Sequence, residues 1–164
     1  MKKVAVIIGS DSDLPVVQGT FDKLASFGIP YEAHIISAHR SPAAAEKFSK
    51  NAAANGFGVI IAAAGKAAHL AGVLAAYTTL PVIGLPIKSS TMDGLDSLLS
   101  IVQMPKGIPV ATVAINGADN AGILAAQILA VSDDSLSERL SDFKKSMEEK
   151  VAEADKKLQE TIKG

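Results

Sequence analysis

Unbroken aliphatic runs alternate along the chain with segments whose apolar residues recur every three to four positions. Val4–Ile8 is apolar throughout and ends at Gly9, which predicts a buried strand. Between Asp13 and Phe27 the apolar positions Val17, Phe21 and Leu24 keep helical spacing, and Gly28 supplies a stop. Tyr31–Ile36 predicts a second strand. Ser41-Pro42 opens a second helix running to about Asn55, with proline in a first turn that tolerates it. The pattern continues with strands at Gly58–Ala63, Pro81–Leu85 and Pro109–Ile115, and helices at Ala67–Tyr77, Asp93–Val102 and Ala118–Val131. Strands separated by helices of this length imply right-handed crossovers and a parallel sheet covered on both faces. The expected fold class is therefore α/β: a three-layer α/β/α sandwich, flavodoxin-like, with a five-stranded parallel sheet in the order 2-1-3-4-5.

The last segment follows a different rule. Residues 133–164 hold nine acids and seven bases, against eight and nine in the preceding 132 residues. Through this charge runs one apolar stripe: Leu136, Leu140, Phe143, Met147, Val151, Ala154, Leu158 and Ile162. Steps of three and four keep the stripe on one face of a long C-terminal helix, which at 1.5 Å per residue spans roughly 40 Å. A stripe of that length exceeds what one small domain covers. The expected division is a domain over 1–132 and a helical extension over 133–164 that reaches a neighbouring subunit.

Composition narrows the picture. Hydrophobic residues make up 48% of the 164 residues, yet aromatics are only 4% and tryptophan is absent, so the core is built from Ala, Val, Ile and Leu. A net charge of −1 gives no reason to expect nucleic acid or an anionic membrane as partner. With no cysteine, disulfides and thiolate metal sites are excluded. The first apolar run is five residues long and acids follow at once, so it reads as a strand rather than an export signal or membrane span. A cytoplasmic protein is expected.

Ligands of open parallel sheets bind beyond the carboxyl ends of the strands. Three polar or glycine-bearing loops fall there: GSDSD at 9–13, SAHRSP at 37–42 and AAAGKAAHLAG at 62–72. In the first, Gly9 allows close backbone approach, Ser10 and Ser12 offer hydroxyls, and a following helix start favours an anion such as phosphate. Asp13 either caps that helix or accepts hydrogen bonds from a ligand such as a ribose. In the second, Arg40 is one of only two arginines and suits a phosphate or carboxylate, while the adjacent His39 exchanges protons near neutral pH. The third places His69 among small residues that let backbone approach a ligand. His34 falls within the second strand and reads as structural. There is no His-x-x-x-His spacing or completing carboxylate pair, so no metal is expected, and no phosphate-loop or dinucleotide fingerprint is present.

Taken together, GSDSD, SAHRSP, AAHLAG, DSLLSIVQMPKGIPVATVAI and NAGILAAQILA resemble the N5-carboxyaminoimidazole ribonucleotide mutases of the PurE family, in matching order from about Val4 to Ala130. SAHR, rather than SAHK, resembles the class I mutase branch and not the direct carboxylases. The resemblance implies a cofactor-free isomerase of purine biosynthesis acting on an aminoimidazole ribonucleotide, and a homo-octamer. It implies His39 as general acid and base, Ser10, Ser12 and Arg40 at the phosphate, and Asp13 at the ribose. Ser37 and the Ala64–Gly65 backbone fall near a migrating carboxyl, with His69 in support and residues 104–109 shaping the pocket wall, in part from another subunit. The rival readings are a direct aminoimidazole ribonucleotide carboxylase and a nucleotide-binding module without catalysis. Lys66 and Asn116 stand where the family pattern carries glycine. If position 66 takes positive φ, lysine is crowded there, and its ammonium becomes a candidate partner for a substrate carboxylate. Asn116 tolerates left-handed backbone.

Overall fold

The computed structural model describes residues 1–163; Gly164, the last residue of the 133–164 extension, lies outside them. Five parallel strands, β1 (Lys3–Ile8), β2 (Tyr31–Ile35), β3 (Phe57–Gly65), β4 (Val82–Ile87) and β5 (Ala111–Thr112), form one sheet in the order β2-β1-β3-β4-β5. Six helices connect and follow them: α1 (Leu14–Ser26), α2 (Pro42–Ala52), α3 (Leu70–Ala76), α4 (Leu95–Val102), α5 (Ala118–Ala130) and α6 (Asp134–Lys163).

The two-residue period of the strands separates two cores. Val4, Val6, Ile8, Val59, Ile61 and Ala63 pack with α1, α5 and the start of α6. Ala5, Ile7, Ile60 and Ala62 face the opposite layer, with Ala45, Leu70, Leu74 and Ile101 from α2, α3 and α4. Because β1 and β3 are covered on both faces, they carry no polar position in their interiors. Small residues set the layer spacing. A Cβ on Gly84 would collide with Ile101, so glycine in β4 is what lets α4 approach.

Three differences from the sequence expectation have physical causes. β5 is two residues long rather than seven, pairing β4 only at Ile83 and Gly84, and then continues as irregular backbone. β4 runs on to Ile87 through Pro86, which lacks an N–H donor but lies beyond the residues that β5 pairs. The sheet is not covered on both faces throughout: all five β2 residues are exposed, Ile35 to 56%, because the helices pack over the central strands.

The stripe of α6 divides in two. Leu136 is fully buried in the domain core, and Leu140 and Phe143 pack against it. The Phe143 ring stands edge-on to Phe27, and Lys23 lies over its face. Beyond that point Met147, Val151, Leu158 and Ile162 are exposed. No helix among the described residues is long and apolar enough to cross a membrane.

Candidate active site

The loops leaving the carboxyl ends of four strands meet around a cavity of about 580 Å³. All ten residues singled out from the sequence line it. Ser10, Ser12 and Asp13 follow β1, and Ser37, His39 and Arg40 follow β2; Ala64 and Gly65 end β3, with Lys66 and His69 just beyond. Parallel pairing of β2, β1 and β3 in adjacent positions brings these loops together.

After β1 the chain makes a 3-10 turn at Asp11–Asp13. The Ser10 hydroxyl oxygen accepts from the Ser12 amide at 3.4 Å and from the Ser12 hydroxyl at 2.9 Å. Asp13 stands at the start of α1 but makes no side-chain cap. Its backbone is already helical, at φ −87° and ψ −11°, and Pro15 removes one of the amides a cap would bind. The capping alternative is therefore not realised, and the carboxylate is left at the cavity beside the Ser12 hydroxyl, 3.3 Å away. Burial raises the Asp13 carboxyl above its ordinary value of 3.8; the Ser12 hydrogen bond opposes this and the Asp11 charge adds to it.

The second loop is braced by its own hydroxyls. Ser41 donates to the Ser37 carbonyl and accepts from the Ser37 amide, both at 3.0 Å. The Ser37 hydroxyl oxygen accepts from the Arg40 amide at 3.1 Å and from Arg40 Nε at 3.4 Å, while Arg40 Nη2 donates to the Gly9 carbonyl at 3.4 Å. These partners are neutral oxygens. They orient the guanidinium without cancelling its charge, which suits it to an anion.

His39 Nε2 and His69 Nδ1 are 2.8 Å apart, with the rings edge to face at 83°. One imidazole donates and the other accepts, so a single proton lies between them. His39 Nδ1 and His69 Nε2 are the nitrogens left for a ligand or solvent. A direct histidine pair held between two loops at a cavity can move a proton to and from a bound molecule.

The third loop is tight. The Ala68 amide donates to the Lys66 carbonyl and the His69 amide to the Ala67 carbonyl. Lys66 has φ 54° and Asn116 φ 57°, so both non-glycine positions take the left-handed conformation. Asn116 gains from it: its side-chain oxygen accepts from the Lys88 amide at 2.9 Å.

Sequence reasoning missed Lys88, Ser89 and Ser90, which complete the cavity from the loop after β4. Lys88 Nζ is 2.6 Å from Asp93, and the buried Ser89 hydroxyl donates to the Asp96 carboxylate at 2.8 Å. The run KSS was the available signal, but ending the fourth strand at Leu85 hid its place at the edge. Residues 104–109 do not line the cavity within one chain; Met104 lies against Gly72 instead. His34 is also outside, exposed on β2 against Phe48 and 3.8 Å from Glu32. Among the described residues no group of three potential ligands converges on a metal-sized site.

A flavodoxin-like sheet with a histidine pair and three cations at its ligand edge defines an enzyme-type cleft for a small anionic molecule. The AIR carboxylase family model matches residues 3–150, and the chain belongs to this family. It is 55% identical to an N5-carboxyaminoimidazole ribonucleotide mutase of Pyrococcus horikoshii, over 96% of this chain and 89% of that protein. A chloroplastic phosphoribosylaminoimidazole carboxylase of Vigna aconitifolia is 51% identical, over 93% of this chain but 28% of that protein. Among solved structures, Treponema denticola PurE superposes with a TM-score of 0.87 at 29% identity, covering 94% of this chain and 97% of that one.

Proposed function

We propose that the chain is an isomerase of purine biosynthesis that converts N5-carboxyaminoimidazole ribonucleotide (N5-CAIR) to 4-carboxy-5-aminoimidazole ribonucleotide (CAIR). The observation that carries this reading is the paired His39 and His69 facing one cavity with Ser10, Ser12 and Arg40, in a chain so similar to a mutase over nearly its whole length.

The chemistry fits the residues. Loss of the carboxylate from N5 as CO2 needs one proton delivered to that nitrogen. Bonding of the CO2 to C4 then releases the C4 proton. His39 gives the first proton and takes the second, so it ends as it began. His69 holds the His39 ring and shares its proton. Ser10, Ser12 and Arg40 bind the 5′-phosphate, Asp13 accepts from the ribose hydroxyls, and Ser37 with the Ala64–Gly65 backbone borders the migrating carboxyl. CO2 must not escape between the two steps, which requires that bound substrate exclude water from the cavity. None of these steps calls on a redox cofactor.

The same reading gives a cytoplasmic enzyme working as a homo-octamer. The exposed Leu95 and Leu99 on α4, Ile35 on β2 and the outer stripe of α6 support burial against further copies of this chain. Residues 133–164 act as the extension that bridges subunits. Formation of CAIR from N5-CAIR, set beside formation from aminoimidazole ribonucleotide (AIR) and bicarbonate, tests the activity.

A further inference from the structure

Lys66 sits on strained backbone at the cavity. It follows Gly65 at the end of β3 with φ 54°, a conformation that crowds an L side chain and leaves glycine free. Strain of this kind persists where the surroundings or the function hold it. The three cations lining the cavity are also unequal. Lys88 is paired with Asp93, and Arg40 is fixed to Gly9 and Ser37 on the β1–β2 side. Among the described residues no carboxylate lies within 4.0 Å of the Lys66 ammonium. Ala64, Gly65 and Ala67 around it line the same wall and present no side chain able to meet a negative charge.

We propose that Lys66 is the positioning residue for the carboxylate that N5-CAIR and CAIR carry and AIR lacks. This inference rests on the mutase reading and deepens it. Ser10, Ser12 and Arg40 answer the phosphate at one side of the cavity; Lys66 answers the second anion, just beyond the end of β3. The lysine thereby selects carboxylated ribonucleotides, because an ammonium facing a carboxylate gains a charge-assisted hydrogen bond that the decarboxylated ring cannot offer.

The test is equilibrium binding of CAIR and of AIR to the full chain and to Lys66→Met, Lys66→Arg and Lys66→Gly. Lys66→Met should weaken CAIR about 5–10-fold and leave AIR unchanged, with Lys66→Arg restoring most of the loss. Lys66→Gly should show the same selective loss together with a melting temperature raised by about 2 °C or more as the backbone crowding is relieved. CAIR affinity unchanged in Lys66→Met overturns the inference, and so does an equal loss for CAIR and AIR, which marks a merely structural role. Failure of the unsubstituted chain to bind CAIR overturns the mutase reading and takes this inference with it.

Discussion

In the cleft, groups from separate loops meet one another: the His39 ring lies against that of His69, and the Arg40 guanidinium reaches the Gly9 carbonyl. Along α6, the apolar stripe meets its own domain only as far as Phe143, and Met147, Val151, Leu158 and Ile162 face outward. A single chain satisfies the first region almost completely and the second only by half. Polar groups in the cleft find partners by short-range geometry, which the parallel register of β2, β1 and β3 supplies. The outer stripe has no covering surface in the chain, and exposed apolar area of that extent favours association. The proposed chemistry and the proposed assembly thus rest on different places, and they should be separable by substitution.

The largest effect is expected in the cleft. His39→Asn should lower turnover by about 10²–10⁴-fold, the range for loss of a positioned acid–base group, while ribonucleotide binding and particle mass stay as they were. Full turnover in that variant would place the proton shuttle elsewhere. On the other region, Val151→Glu combined with Leu158→Glu puts two charges on exposed positions that the fold does not need. Light scattering should report a particle several-fold smaller; an unchanged mass would show that α6 bridges nothing. The smallest effect sharpens the boundary between the two regions. Burial raises the Asp13 carboxyl in the folded state, so its stabilising influence is greatest below its ordinary value of 3.8 and is lost as pH rises through the folded value. Asp13→Asn should therefore melt about a degree higher at pH 7, a gain kept small by solvent access to the carboxylate. The gain should fade in acid. An advantage that persisted below pH 3.8 would mean that charge is not its cause.

Much of this was legible in the sequence because period and punctuation agree. The runs Val4–Ile8 and Gly58–Ala63 are aliphatic without interruption, and Gly9 and Gly28 mark real ends. Strand order followed from topology, and topology gathered the loops. What escaped detection was whatever depends on a partner strand or on backbone angles. Pro86 reads as a strand end in one dimension, yet it is harmless where β5 has stopped pairing, and the misreading concealed Lys88–Ser90. The direct contact of His39 with His69 cannot be read from residues thirty apart. Asp13 looked equally like a cap until its helical φ and ψ removed that role. Hydrophobic periodicity marked the stripe of α6, but not that its burial against the domain stops at Phe143 or that β2 stands exposed.

The most direct test of the central claim is the rate of CAIR formation by the purified chain from N5-CAIR without added bicarbonate, measured beside the rate from AIR with bicarbonate. The account predicts rapid CAIR formation from N5-CAIR alone. Efficient product only from AIR with bicarbonate would contradict it and make the chain a direct carboxylase.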